Sequence, residues 1–356
     1  MSTQQYKTYG IQVPIIHTCE GNPIHLWGDG SFGKSIFANS ANNSNQISGV
    51  RSGILARIPR MLYKFQPYDD LHIKALANQE IWLANPLTLN DPFDPLPYFD
   101  KKKIEEFSNE LSKKGFWKKI LEILPAIFGC KKSEPINEDI TGFVLAVLAR
   151  YTRIFSMASR WDVPLLWGHY ADGHRGFALG YSGKKIKDMV LTTKKMLKSG
   201  MLYEVVPIVY DRLELKKGFF DATRSLSKIH EKTVRFHKGN KNGHPIMNYE
   251  DFLSLLQCYV YKSLDWHYER EWRLIRFCPE PSECEDNKKN GTLIQLQPDS
   301  IYLGVRMDKN RRETICNIVC NINRQRPSDQ QMKIYRVKGL LYAKGRFARL
   351  QKVGEE

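Results

Sequence analysis

The chain lacks several features that would assign it to a function class directly. None of its 7 cysteines forms a CxxC pair, which excludes the common zinc-ribbon and thioredoxin-type spacings. No apolar run approaches the roughly 20 residues that a membrane-spanning helix needs. The N-terminal residues show no basic-then-apolar signal pattern, and no internal repeat is visible. We therefore expect a cytoplasmic protein with reduced thiols, without a transmembrane segment, and we assign no metal ligands among the cysteines.

Acidic residues are also scarce relative to basic ones. The 356 residues include 54 Lys and Arg but 38 Asp and Glu, which gives a net charge of +16. Such an excess favours anionic partners, either an anionic small molecule such as a nucleotide or nucleic acid. Hydrophobic residues make up 42% of the chain, so a substantial folded core is expected rather than disorder.

One stretch near the N-terminus fits a nucleotide-binding pattern. GDGSFGKS, residues 28–35, matches the phosphate-loop pattern G-x-x-x-x-G-K-[ST] at every fixed position. That loop works only between a buried strand and a helix whose N-terminus faces the phosphates. The residues that follow, IFANSANNSNQISG, are dominated by types that favour turns over helix interiors. We therefore predict a solvated loop around Lys34 rather than the active site of a nucleotide hydrolase.

The order of predicted elements indicates an α+β protein. Strands are predicted at LYKF, EIWLANP, RIFSMA, GFALGYS, YEVVPIVYD, EWRLIRF, TLIQL, SIYLGV and MKIYRVKG. Helices are predicted at DDLHIKALANQ, capped by Asp69 or Asp70, at PLLWGHYADG, and at residues 103–128, 138–152, 184–199, 216–236, 248–264 and 308–325. Since strict βαβ alternation is missing, we expect a mixed, largely antiparallel sheet flanked by several helices. The expected organisation is an irregular extension over 1–58, a single main domain over 59–346 and a C-terminal tail over 347–356.

Three stretches combine aromatic with ionisable side chains, and the first is NPLTLNDPFDP. An Asx turn or a helix cap before Pro92 would account for Asn90 or Asp91. It would not account for Asp94 as well. Both a structural and a ligand-binding role remain open for this turn.

The second stretch is FSMASRWDVPLLWGHYADGHRGFALGYS. It places Ser156, Trp167, His169 and Tyr170 close together in sequence. A histidine between Trp and Tyr can be an ordinary core residue. A strand-borne Ser with several histidines and an arginine also suits a pocket for an anionic ligand, and both interpretations remain open.

The third stretch is YKSLDWHYEREWRLIRF. If it is extended from His267 onward, Glu269, Glu271 and Arg273 share one face. Two carboxylates so close are costly unless a cation or a chemical task accounts for them, so Arg273 would neutralise Glu271 and leave Glu269 for function. Lys262 is a further cation that the spacing could bring near Glu269. If the stretch is helical instead, Glu269 and Arg273 form an ordinary i,i+4 pair.

Taken together, these stretches resemble the bacterial family known as domain of unknown function 2971, over about residues 61–345. The segments that carry the resemblance are, in order, LYKF, IWLANPLTLNDPFDP, FSMAS, LLWGHYADGHRGFALGYS, VPIVYD, KSLDWHYEREWRLI and IYLGV. One departure is Ile154, where many members carry Cys, so no catalytic thiol is expected there. The family name itself implies no activity, and the phosphate-loop pattern lies outside the resemblance.

An analogy of pattern adds an expectation about activity. A first strand with a basic residue, a second with Ser and a late Glu-x-Glu strand look like the plan of ADP-ribosyltransferases. By that likeness Lys64 and Ser156 would hold NAD, and Tyr170 would stack on it. Glu269 would stabilise the oxocarbenium ion as nicotinamide leaves. NAD is therefore a candidate substrate, and a toxin or phage-defence effector is the implied role.

Two other functions remain open at this stage. A metal-dependent nuclease could use Asp91, Asp94, Glu269, Glu271 and a histidine, and a non-enzymatic module could bind nucleic acid or protein. Across these readings we predict catalytic roles for Glu269, Glu271 and His169, and ligand-binding roles for Lys64, Asn90, Asp91, Asp94, Ser156, Trp167, Tyr170, Lys262 and Arg273. We also predict that the NDPFD turn, His169–Tyr170 and Glu269–Glu271 line one cleft.

Overall fold

A computed structural model describes residues 15–17, 23–25, 55–91, 94, 152–195, 202–211, 259, 261–277, 291–339 and 348–352. Contacts between Cα atoms divide the chain into two compact units. The first, called the sheet unit here, comprises Ile58–Leu89, Ala149–Ile208 and Asp265–Glu356. The second unit comprises Met1–Arg57, Asn90–Leu148 and Val209–Leu264. The single main domain expected between residues 59 and 346 stays a prediction.

The described strands and helices are numbered in chain order. The strands are β1 Ile15–His17, β2 Pro23–His25, β3 Met61–Gln66, β4 Glu80–Ala84, β5 Thr152–Ala158, β6 Phe177–Ser182, β7 Leu202–Pro207, β8 Val209–Asp211, β9 Tyr261–Ser263, β10 Glu271–Phe277, β11 Gly291–Gln295, β12 Ser300–Leu303, β13 Lys333–Gly339 and β14 Ala348–Lys352. The α-helices are α1 Asp70–Asn78, α2 Pro164–Tyr170, α3 Gly183–Lys195 and α4 Lys309–Arg324. Short 3-10 helices occur at Pro86–Thr88, Leu264–Glu269 and Ser328–Gln330.

The sheet unit contains a ten-stranded, mostly antiparallel sheet. Its main path runs β11-β4-β5-β3-β6-β12-β13-β14, while β10 pairs with β5 and β7 pairs with β10. Among its described pairs, β12–β13 is parallel, and α4 lies between these two strands in sequence, as a parallel crossover requires. The α+β class with a largely antiparallel sheet is therefore confirmed. In the second unit, β1 and β2 pair antiparallel, and β8 and β9 pair parallel.

Strand register defines the two faces of the large sheet. Tyr63 of β3 and Glu271 of β10 both lie opposite Ala158 of β5. Residues directly opposite each other point to the same face, and neighbours along a strand alternate. We call this face the α2 face, because α2 packs on it. The buried cluster there consists of Phe65, Ala158, Leu166, Trp167, Ala171, Ala178, Tyr302 and Val337.

Helix α1 shows how local chemistry sets the element boundaries. The Asp69 carboxylate accepts a hydrogen bond from the His72 backbone N–H at 2.9 Å, which satisfies one of the unpaired donors of the first turn. Gln79 ends the helix in the left-handed region, with φ 58°, and its N–H bonds back to the carbonyls of the last turn. Of the two predicted caps, Asp69 is therefore the one used.

Several predicted elements differ from the structure. YEVVPIVYD forms two strands, β7 and β8, rather than one. Residues 261–263 are strand β9, not the end of a helix. Residues 348–352, expected in a tail, form β14 and pair with β13, so they extend the sheet. The helices predicted at 103–128 and 216–236, residues 138–151 of a third and the loop around Lys34 lie outside the described residues, while Thr152, predicted to end that third helix, begins β5.

Candidate functional site

The candidate site is built around the 3-10 helix Leu264–Glu269, which leads into β10. With three residues per turn, Trp266 and Glu269 lie along the same edge of this helix. Arg270 then adopts the left-handed conformation, with φ 46°, and its carbonyl accepts a hydrogen bond from the Ser159 N–H at 3.1 Å. This single residue turns the chain from the helix into the strand.

The conformation of this stretch changes along its length. Two alternatives were left open for it, an extended stretch from His267 or a helix; residues 264–269 form a 3-10 helix, and residues 271–277 are extended. Glu269 and Glu271 therefore do not alternate along one strand. The two carboxylates instead have different hydrogen-bond partners: Tyr170 for Glu269 and Arg273 for Glu271.

Glu269 meets Tyr170 although the two residues are 99 positions apart in sequence. The Tyr170 hydroxyl donates a hydrogen bond to Glu269 Oε1 at 2.6 Å, the short length typical of an O–H bond to an ionised carboxylate. Glu269 is 5% exposed, while Tyr170 is half-buried at the end of α2. The second and third sequence stretches thus converge at a buried carboxylate.

Four rings form a continuous aromatic row beside this carboxylate: Trp266, Tyr268, His169 and Tyr170. Ring centroids lie 6.1 Å apart between Trp266 and Tyr268, 6.3 Å between Tyr268 and His169, and 6.3 Å between His169 and Tyr170. His169 is exposed and the other three rings are half-buried. Trp266 and Tyr268 were not among the predicted site residues. The three-residue spacing of Trp266 and Glu269 was the signal that could have identified a 3-10 helix.

Glu271 is held by Arg273. The Arg273 Nε donates to Glu271 Oε1 at 2.7 Å and its Nη2 to Oε2 at 3.1 Å, so both carboxylate oxygens are engaged. Arg273 is 0% exposed, and Ser156 lies opposite it on the α2 face. The predicted neutralisation of Glu271 by Arg273 is observed. This arrangement is typical of a structural ion pair, and the catalytic role predicted for Glu271 and the binding role predicted for Arg273 stay predictions.

Lys64 lies on the opposite face of the sheet from Ser156. It is adjacent in β3 to Tyr63, which is on the α2 face, and alternation turns Lys64 away. Its Nζ lies 5.3 Å from the centroid of the Phe155 ring on that other face. The expectation that Lys64 and Ser156 hold one ligand together is therefore corrected: the strand register separates them.

Trp167, predicted to contact a ligand, is a core residue. Its side chain is 0% exposed, and its indole N–H donates to the Trp161 carbonyl at 2.7 Å. The ring also meets Phe65 edge-on, with centroids 5.1 Å apart. These contacts fix α2 on the sheet, and they leave His169 and Tyr170 as the residues that α2 contributes to the site.

The remaining predicted residues belong to the second unit. Lys262 Nζ lies 3.4 Å from Asp94 Oδ2, and both side chains are nearly buried. The Asp94 N–H donates to the Asp91 carbonyl at 2.9 Å, which closes a turn, while Asn90 is exposed. The turn predicted from the sequence did not account for Asp94, and this buried ion pair does. The cleft predicted to unite this turn with Tyr170 and Glu269 stays a prediction.

His174 follows α2 in a run of three left-handed residues. Asp172, Gly173 and His174 have φ values of 48°, 55° and 70°, an arrangement that L-residues rarely adopt in succession. The imidazole stacks on Trp167 with an interplanar angle of 12°. Burial lowers the pKa of His174 below its ordinary value, and the positive charge of Arg306 lowers that pKa further. The loop that anchors the end of α2 therefore contains a histidine that favours its neutral form.

The described part of the chain contains no cluster of side chains that could hold a metal ion. Within those residues, no group of three or more His, Cys, Asp or Glu side chains is placed to hold a metal ion. Two of the residues named for a metal-dependent nuclease, Glu271 and Asp94, form ion pairs with Arg273 and Lys262. A nuclease that uses Asp91, Asp94, Glu269, Glu271 and a histidine stays a prediction.

Comparison with known proteins finds a resemblance to one family over part of this site. Residues 166–274 match the model of the family described as "Protein of unknown function (DUF2971)". The resemblance to this family is confirmed over that segment. Searches of curated proteins and of solved structures each found no match.

The DUF2971 match covers the aromatic row, Glu269 and the Glu271–Arg273 pair. It begins within α2 and ends within β10, so the wider resemblance expected over residues 61–345 stays a prediction outside it. Ser156 and Lys64 both precede the matched segment. None of the helices in the described part of the chain has the length and apolar character needed to cross a bilayer.

Proposed function

We propose that this chain is an NAD-consuming enzyme, an ADP-ribosyltransferase or an NAD glycohydrolase, with Glu269 as its catalytic carboxylate. The observation that carries the proposal is the hydrogen bond from the Tyr170 hydroxyl to Glu269 Oε1 at 2.6 Å. It fixes the orientation of a buried carboxylate next to a row of aromatic rings. An oriented negative charge with little surrounding water is suited to stabilising a cation that develops during a reaction.

The proposed reaction breaks the bond between the ribose C1′ and the nicotinamide nitrogen of NAD. The bonding electrons move to that nitrogen, so the positively charged pyridinium leaves as neutral nicotinamide. The ribosyl group becomes an oxocarbenium ion, whose positive charge Glu269 stabilises. Water or an acceptor side chain then forms a bond to C1′ and releases its proton to solvent. Tyr170 is a positioning residue in this scheme, because it acts through Glu269.

The charge of the chain supports an anionic substrate. The net charge is +16, and NAD carries a pyrophosphate. Lys64 does not fit the analogy with ADP-ribosyltransferases, because it lies on the other face of the sheet. Ser156 still fits it, since it lies on the α2 face with Glu271 and Arg273. The first-strand basic residue of that plan is thus not supplied by Lys64, and the proposal rests on Glu269 and the aromatic row.

Nicotinamide release tests the proposal directly. Purified protein is incubated with NAD alone and with NAD plus cell lysate, and nicotinamide and ADP-ribosylated protein are measured. Hydrolysis with NAD alone indicates a glycohydrolase, whereas labelling of lysate proteins indicates a transferase. Glu313→Gln on the exposed surface of α4 is the matched control, because it makes the same chemical change as Glu269→Gln at a solvent-exposed position.

The biological role as a toxin or phage-defence effector has its own test. Induced expression in bacterial cells should lower the NAD pool and stop growth, and Glu269→Gln should relieve both effects. If neither NAD cleavage nor NAD loss is found, the proposed function is wrong. Cleavage of nucleic acid that requires a divalent metal would point to a nuclease instead.

A further inference from the structure

The aromatic row lies at the edge of the buried core and is partly exposed to solvent. Each of its ring contacts has centroids between 6.1 and 6.3 Å, so the rings touch in series. Tyr170 and Tyr268 pack against the buried cluster that contains Trp167, so the row lies at the margin of this core. Trp266, Tyr268 and Tyr170 are half-buried, and His169 is exposed. Every residue of the row therefore keeps part of its surface accessible to solvent.

The electrostatics of the row favour a positive charge. The faces of Trp and Tyr rings carry negative charge density and attract cations within about 6 Å of the ring centre. Glu269 is associated with the residues at both ends of the aromatic row. It shares an edge of the 3-10 helix with Trp266, and it accepts a hydrogen bond from the Tyr170 hydroxyl. The ring planes are tilted to one another by 34–66°, so a positively charged flat ring would stack on one ring of the row, close to the Glu269 carboxylate.

We infer that the aromatic row selects a positively charged flat ring, an N-substituted pyridinium, over a neutral ring of the same shape. This inference rests on the proposed function, because NAD carries such a pyridinium, but it concerns recognition and not cleavage. It assigns binding to Trp266 and Tyr268, which were not among the predicted site residues. It also explains product release, since nicotinamide loses its charge when the glycosidic bond breaks and is then held less tightly.

Two small ligands isolate the charge of the ring. 1-Methylnicotinamide is a cation, and nicotinamide is its neutral counterpart with almost the same shape, while neither has a phosphate or a ribose. Affinities for the wild-type chain are measured by calorimetry or by ligand-detected NMR. We expect the cation to bind about tenfold more tightly, as one desolvated cation–π contact would provide. Equal affinities, or no detectable binding of the cation, would overturn the inference.

Variants of Tyr268 locate the preference on the row. Tyr268→Phe keeps the ring face and should keep the preference for the cation. Tyr268→Leu removes the ring and should make the two affinities nearly equal. Trp82→Leu is the matched control, because Trp82 is an exposed aromatic residue of β4 outside the row. Preference retained in Tyr268→Leu would refute the inference, provided that its circular dichroism spectrum and melting curve show a folded protein.

Failure of this inference can be distinguished from failure of the proposed function. Cleavage of NAD by a protein without ring preference would support the function and overturn the recognition of charge by the row. Preference for 1-methylnicotinamide without NAD cleavage would support the row as a pyridinium site and refute the proposed enzyme. The two measurements use different ligands and different readouts, so each decides its own claim.

Discussion

Substituting Glu269 by glutamine removes one negative charge while keeping the shape of the side chain. If the carboxylate stabilises an oxocarbenium ion, its loss should raise the barrier by about 2.7–4 kcal/mol, or roughly 10²–10³-fold in rate. The structure makes this magnitude reasonable, because Glu269 is 5% exposed and little water screens its charge. Two unit charges about 4 Å apart interact by about 4 kcal/mol at an effective dielectric constant of about 20.

The same substitution should change the stability of the fold only slightly. Glutamine still offers an oxygen to the Tyr170 hydroxyl, so a charge-assisted hydrogen bond becomes a neutral one, at a cost of about 1 kcal/mol. Removal of a buried charge offsets part of that cost. We therefore expect the melting temperature to change by no more than about 4 °C.

The assay is the initial rate of nicotinamide release, paired with thermal melts of the same preparations. Glu313→Gln serves as the control for the chemical change and should match the wild type in both measurements. The reasoning about Glu269 fails if Glu269→Gln melts early and remains fully active, because the residue would then be structural. Loss of both activity and fold in Glu269→Gln would also contradict the expected separation of the two effects.

Three further predictions concern stability. Glu271→Gln should destabilise the fold by about 3–5 kcal/mol in urea titrations, since Arg273 at 0% exposure loses its partner charge; an unchanged midpoint would contradict the ion pair. Gly180→Ala should lower the melting temperature, because its Cβ would lie 2.4 Å from Ser300 Oγ, and an unaltered melt would show that the strands can move apart. The pKa of His174 is lowered in the folded protein, so below about pH 6.5 the unfolded chain binds more protons than the folded one. The free energy of unfolding should therefore fall as the pH is lowered through that range. His174→Asn, which tolerates a left-handed backbone, should remove this pH dependence, and its persistence would exclude His174 as the cause.

The features that could be predicted from the sequence depend on residues close together in the chain. The Asp69 cap follows from hydrogen bonding to the next turn of helix. The partnership of Glu271 with Arg273 follows from alternation within one strand. These two contacts do not depend on which strands are neighbours in the sheet, and both contacts are found in the structure.

The features that could not be predicted depend on strand pairing or on short irregular turns. The face on which Lys64 lies is set by its register with β5 and β6, which the sequence of β3 alone does not specify. Tyr170 and Glu269 meet through tertiary packing across 99 positions. The segment LDWHYE is a 3-10 helix, and Arg270 in a left-handed conformation ends it. The sequence was compatible with either a strand or a helix there.

The pairing of β5 with β10 has a consequence for the synthesis of the chain. Strand β5, TRIFSMA, is buried at all but one position in the finished sheet, yet its partner β10 is made only after residue 271 has been added. At typical translation rates this delay is on the order of ten seconds. During that interval one edge of an apolar strand has no native partner, and such an edge readily pairs with other chains. The emerging chain is therefore more exposed to aggregation than the finished protein, and added chaperones should raise its yield.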